Sequence, residues 1–314
     1  MEKFETEDYK NGIYCVDSGY DGGGVAAIYI IHDGKEAAII DTANNESLER
    51  VTRATDELGI ARGDVGHIFL THVHLDHAGG AGVYAREFPG AQIVVHERGA
   101  RHIIAPEKLI AGAAEVYGAE VVERLYGKVV PVEAGRITSP RDGDEFAVGK
   151  HTIVCLDTPG HALHHLAFHD TSADIVFTGD SFGMSYMELI RPEGRCAILT
   201  TSPVQFDPDA MRASMRRIES LKPKYLYPTH FGRLPANSAI KDSLYRQLDV
   251  YVKIADDSKG DLEFIKTGLR ELFKKEAARQ GCPCLAAPAG RVTSLALELN
   301  ALGLAVWQNR RKTR

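Results

Sequence analysis

The sequence predicts an α/β fold of four layers, α/β/β/α, followed by a C-terminal helical extension. Three observations predict it. Short apolar runs rich in Ile, Val and Tyr recur in two series between Gly and Asp breaks. Segments with helical apolar spacing lie between and after these runs. Past His230 the strand pattern stops and only helical stripes remain.

The first series is GIYCVDS at 12–18, VAAIYIIHDG at 25–34 and EAAIIDT at 36–42. Residues 45–58 then align Leu48, Val51, Ala54 and Leu58 on one helical face, and Gly59 ends it. The strand GHIFLT follows at 66–71, then a helix near 80–88, the strand QIVVH at 92–96 and helical material over 97–126. The second series is DEFAVG at 144–149, HTIVCLDT at 151–158, HLAFHD at 165–170 and DIVFTGD at 174–180. A helix over 208–221 and the strand KYLYPTH at 224–230 close it. Two strand-rich halves with helices outside make a sandwich domain of residues 1–235. Residues 236–314 read as a helical region covering the active site, with stripes Leu244/Leu248/Tyr251/Ala255, Leu262/Ile265/Leu269/Leu272 and Leu295/Leu299/Leu302/Val306. The closing Arg310, Arg311, Lys312 and Arg314 read as a solvated tail.

The 314 residues are 44% hydrophobic and 25% charged, an ordinary globular composition with length for a large core. A net charge of -6 argues against binding to nucleic-acid backbones. The charged start, MEKFETEDYK, has no apolar leader core, and no run approaches the roughly 20 residues of a membrane span. The expectation is a cytoplasmic protein that meets neither membrane nor nucleic acid and acts on a small molecule, with homo-oligomerisation left open. Cys15, Cys155, Cys196, Cys282 and Cys284 are few and odd in number, so no disulfide framework is expected. Cys282 and Cys284 read as small thiols at a turn between helices.

The stretch THVHLDH at 71–77 crowds His72, His74, Asp76 and His77 after a strand, where α/β folds place ligands. Imidazoles and a carboxylate at this spacing suit a borderline divalent cation, Zn(II), Fe(II) or Mn(II). One loop cannot fill two coordination spheres. Three further strand ends carry the missing types: His161 in PGH, Asp180 in TGDS and His230 in PTHFG.

THVHLDH followed by PGH, GD and TH resembles the metallo-β-lactamase superfamily, whose members include glyoxalase II, lactonases, thioesterases and phosphodiesterases. The resemblance runs over about residues 12–235. It implies the αββα sandwich, with His72, His74 and His161 on a first metal, Asp76, His77 and His230 on a second, and Asp180 bridging. The helical tail looks like the substrate-covering helices of glyoxalase II and the quinolone-signal thioesterase. The implied activity is a dinuclear metal-dependent hydrolase, with zinc ahead of iron or manganese, using a bridging hydroxide on a small thioester, lactone or related ester. Asp76 would also be catalytic, passing a proton to the leaving group. A phosphodiesterase on the same metals is the alternative, as is a diiron oxygen-binding or regulatory protein. The oxygen-reducing relatives usually carry Glu where this chain has His74. The stretch FGMSYMELIR at 182–191 is expected either to line an acyl or aromatic pocket around Tyr186 or to pack under the tail, and Arg191 and Arg195 are candidate anion contacts.

Overall fold

The computed structural model describes residues 6–191, 194–282 and 291–312. The first series forms one sheet in chain order: β1 (Thr6–Asp8), β2 (Ile13–Asp17), β3 (Ala27–Asp33), β4 (Glu36–Ile40), β5 (Val65–Phe69), β6 (Gln92–Val94) and β7 (Ile137–Thr138). Pairing is antiparallel up to β4 and parallel beyond it. Helices make the parallel crossovers: α1 (Ser47–Glu57), then α2 (Leu75–Ala78) and α3 (Ala81–Glu87), then α4 (Glu97–Ile104), α5 (Glu107–Tyr117) and α6 (Ala119–Tyr126). β1 and β7 escape the sequence reading because two or three residues carry no measurable alternation.

The second sheet contains β8 (Glu145–Val148), β9 (His151–Asp157), β10 (Leu166–Asp170) and β11 (Ile175–Gly179). A small hairpin of β12 (Ile190–Arg191) and β13 (Gly194–Arg195) follows, then α7 (Pro208–Ser220), β14 (Tyr225–Pro228) and β15 (Leu234–Pro235). The sheet order is β15-β14-β11-β10-β9-β8, parallel only across β11 and β14, where α7 makes the crossover.

Strand alternation builds the layers. On β3, Ala27, Tyr29 and Ile31 face the second sheet, while Ile28 and Ile30 join the apolar cluster on the helix side. On β11, Ile175 and Phe177 face inward and Val176 outward. Tyr29 meets Phe177 with ring centroids 5.3 Å apart, and Phe69 meets Phe168 at 5.1 Å, so aromatic rings join the sheets. Both sheets are apolar on both faces, which requires helices outside each. The expected four-layer sandwich is the observed one.

The tail forms α8 (Ser238–Ser258), α9 (Leu262–Arg279) and α10 (Arg291–Lys312). Leu244, Leu248, Tyr251 and Ala255 of α8 are buried as expected, as are Ile265, Leu269 and Leu272 of α9. The α10 stripe differs. Leu297, Ala301, Leu304 and Trp307 form its buried face, while Leu295 is 40% exposed and Leu299 and Leu302 are half-buried. This helix is apolar on two sides, so a single-stripe reading selects the wrong one.

These helices also support an irregular segment. Gln247 accepts from Leu199 N and donates to Ala197 O, Tyr251 donates to Leu199 O, and Asn300 accepts from Thr201 N. Side chains thus satisfy backbone groups that no strand pairs. Cys196 and Cys282 are joined as a disulfide across 86 residues, tying this segment to the end of α9. The expectation of no disulfide is therefore corrected: an odd count does not prevent two distant thiols from meeting in three dimensions. Cys284 and Arg314 lie outside the described residues. Arg310, Arg311 and Lys312 are exposed, as expected of a solvated tail, although Arg310 donates to Phe206 O at 2.6 Å and Arg311 pairs with Asp256 at 2.6 Å. Among the described residues no helix is long and apolar enough to cross a membrane.

Candidate metal centre

All seven candidate residues converge where strands of both sheets end. His72 leaves β5 in extended chain, and His74, at φ -62° and ψ 147°, precedes α2. Asp76 and His77 therefore ride on α2, a single turn. His161 follows β9 through Gly160, whose φ of 137° suits glycine and where a Cβ would sit 2.3 Å from Met211 Cα. Gly179, at φ 50°, leads to Asp180; a Cβ there would lie 2.5 Å from His165 Nε2. The PGH and GD elements are thus set by close backbone approach as well as by ligand chemistry.

His74 Nδ1 is 2.9 Å from His72 Nε2 and 3.1 Å from His161 Nε2. Asp76 Oδ2 is 3.5 Å from His77 Nε2 and 3.3 Å from His230 Nε2. Asp180 Oδ2 lies 3.4 Å from His161 Nε2, 3.7 Å from His77 Nε2 and 3.8 Å from His230 Nε2. The groups His72/His74/His161, His72/His77/Asp180 and Asp76/His77/His230 each have their ligand atoms within 4.8 Å of one another. Ligands bound tetrahedrally at about 2.0–2.1 Å stand about 3.3 Å apart, so these separations fit divalent ions. The buried atoms His77 Nε2 and Asp180 Oδ1 have no hydrogen-bond partner among the described residues, as ligand atoms awaiting a cation would not.

Electrostatics point the same way. Burial holds His72 and His161 well below the ordinary histidine range and brings His74 down to about 4, leaving neutral rings with a free lone pair. Burial also opposes charge on His77, but Asp76, Asp180 and Asp41 outweigh it and push it up to about 10. His230 is raised despite its burial, by Asp180 and Asp76. Burial raises Asp180, whereas Asp76 resists burial and is held far below the carboxylate range by His77 and His230. The carboxylates gather positive charge, which protons supply here and metal ions would supply in their place.

Supporting residues fix the rings. Asp41, at the end of β4 with φ 60°, accepts from Thr71 N at 2.7 Å, Thr71 Oγ1 at 2.9 Å and Thr229 Oγ1 at 2.7 Å, and meets His77 Nδ1 at 3.3 Å. This residue was missed in the sequence; its signal was an acid ending the apolar strand EAAIIDT. His165 Nε2 accepts from Asp180 N at 3.0 Å, while Nδ1 contacts Thr158 Oγ1. His230 Nδ1 donates to Val25 O at 2.9 Å.

FGMSYMELIR both lines a cavity and packs into the core. Met184 and Tyr186 line a cavity of about 650 Å³ that opens from the centre, while Phe182 and Leu189 are fully buried in the core. Arg195 donates to Phe231 O at 3.2 Å and packs beside Gly232, so it braces the His230 turn rather than presenting to an anion.

Comparison with known proteins agrees with this geometry. Residues 21–230 match the family described as the metallo-beta-lactamase superfamily. The metallo-beta-lactamase fold-containing protein ST1585 of Sulfurisphaera tokodaii is 27% identical over 217 residues, 66% of this chain and 73% of that protein. A hydroxyacylglutathione hydrolase of Erythrobacter litoralis is 28% identical over 155 residues, 49% of this chain; the match spans 47% of that enzyme, less than half its length. Among solved structures, ST1585 from Sulfolobus tokodaii superposes with TM-score 0.62 at 23% identity, covering 77% of this chain and 86% of that one. The family protein TTHA1429 from Thermus thermophilus gives 0.59 at 21% identity, covering 98% and 95%. With the family match over two thirds of its length and the strand ends carrying the ligand-type residues described above, this chain belongs to the metallo-beta-lactamase superfamily.

Proposed function

We propose that the protein is a hydrolase of thioesters, lactones or related small esters that works with two divalent ions, zinc ahead of iron or manganese. One observation carries the reading: Asp180 Oδ2 lies within 3.8 Å of His161, His77 and His230 at once, between the two ligand groups. His72, His74 and His161 would hold one ion, Asp76, His77 and His230 the other, with Asp180 shared. Ions held by these residues would supply Lewis acidity and lower the pKa of water toward neutrality.

The chain's own residues supply proton handling and charge stabilisation. The Asp76 side chain is 26% exposed to the cavity against 5% for Asp180. Held as an anion, Asp76 can take up a proton at its carboxylate and return it to the departing group. Tyr186 is buried beside His230, with ring centroids 5.8 Å apart, and its hydroxyl donates to Met184 Sδ. Sulfur is a weak acceptor, so an oxygen gaining negative charge would draw that hydroxyl instead. The likeness to a hydroxyacylglutathione hydrolase supports an acyl substrate.

The test is elemental analysis of the purified protein beside a panel of thioesters, lactones and phosphodiesters. About two ions per chain with turnover of the acyl compounds is expected. Two irons without hydrolysis, no metal, or turnover of phosphodiesters alone would overturn the reading.

A further inference from the structure

We infer that the substrate carries an extended apolar acyl chain, lodged in the cavity under α5 and α6 and against α10; this rests on the hydrolase reading and names its substrate class. The first observation is α5 itself. Its sequence, EKLIAGAAEVY, is largely apolar, yet no residue of it is fully buried. Leu109, Ala113 and Val116 instead line the cavity, joined by Leu125 of α6. An apolar helix face left open to water is unfavourable unless something apolar covers it in use.

The second observation is the far wall. Leu295 and Leu299 of α10 line the same cavity, as does Val204 of the segment that the tail helices hold. Leu295 is 40% exposed and Val204 59%, so the apolar surface continues to the mouth. The α5–α6 pair, the loop at Val204 and α10, distant from one another in sequence, present apolar side chains to one space. Its volume of about 650 Å³ falls in the range that encloses most of a small-molecule ligand.

Charge on the walls does not favour a phosphate. Arg124 pairs with Asp21 at 3.5 Å, and on α5 the exposed Lys108 is balanced by the exposed Glu115. The groups deepest in the site are carboxylates, imidazoles and tyrosines. A neutral ester linkage at the centre with a hydrocarbon chain outward matches that distribution.

The experiment uses the full-length, metal-loaded protein and straight-chain p-nitrophenyl esters of two to twelve carbons. Each methylene buried should raise kcat/KM roughly two- to fourfold until the cavity is full. Gly112 lines the cavity, and a Cβ there meets nothing within 4 Å, so the backbone tolerates a side chain and Gly112→Phe adds bulk to the lining. That variant should keep its metal content and lower the long-to-short preference at least tenfold; Leu295→Glu, at an exposed position, should do the same. Binding of straight-chain carboxylic acids, measured calorimetrically, should strengthen with length. Rates and binding that ignore chain length, or a preference for aromatic over straight-chain esters, would overturn this inference and leave the hydrolase standing. Length-dependent binding without turnover of any ester would uphold the apolar site and reject the hydrolase.

Discussion

Asp41 shows how much a centre of this kind depends on a residue that touches no substrate. It ties the strand carrying the histidines to Thr229, next to His230, and faces His77 Nδ1. Asp41→Asn keeps the shape but removes the charge that orients His77, so metal content should fall together with turnover, by roughly ten- to a hundredfold in activity. An unchanged circular-dichroism spectrum with lowered metal content separates this from a simple folding defect. Asp180→Ala removes the shared carboxylate and should lower metal content and hydrolysis together; full activity in that variant would reject its placement between the ions. Tyr186→Phe should leave metal content unchanged while lowering kcat about tenfold or more, with KM little affected, because the lost interaction forms as charge develops. The seven candidate residues were legible because they cluster after four recognisable strands and their order carries a resemblance. Asp41 was not, because a lone acid acquires its role from strand pairing and loop approach that the linear sequence does not display; His165, beside the PGH element, reads from sequence only as a neighbour of the ligands, and its bond to Asp180 N comes from the fold.

At the scale of elements, legibility followed how one-sided each segment is. α8 and α9 bury single stripes, and period 3.6 finds them. α10 faces the tail core on one side and the cavity on the other, so the stripe chosen from sequence, Leu295, Leu299, Leu302 and Val306, is not its packing face. Leu304 is fully buried and Leu302 half-buried. Leu304→Ala should therefore cost about 2–5 kcal/mol in denaturant unfolding, and Leu302→Ala less than half as much. Equal losses would restore the original stripe. The stripe chosen from sequence, placed in a region expected to cover the site, is thus in part the helix's cavity-facing side: Leu295 and Leu299 line the cavity.

Across the whole molecule, the tail helices and the sandwich share one apolar cluster, running from Ile28 and Ile39 through Leu199 to Leu248 and Leu304. A charge buried among those helices should therefore report on the stability of the entire fold. Glu276 is that charge. Its side chain is 0% exposed and accepts from Arg246 Nη2 at 2.9 Å, Arg279 Nη1 at 2.8 Å and Ser243 Oγ at 2.7 Å. Burial alone would raise its pKa, but Arg246, Ser243 and Arg279 outweigh burial and bring it from 4.5 to about 2. A carboxyl depressed in the folded state contributes stability that is full above its unfolded pKa and is lost as pH falls through the folded one. The window is therefore about pH 4.5 down to 2, and the contribution at neutral pH is on the order of 3 kcal/mol. Glu276→Gln should be less stable at pH 7 and show a shallower acid dependence across that window, measured as the difference between the two proteins so that other carboxylates cancel. Parallel acid profiles would mean that the Arg246 and Arg279 contacts do not persist in solution, and a loss of helical signal ahead of the sheets would mean that the tail unfolds on its own.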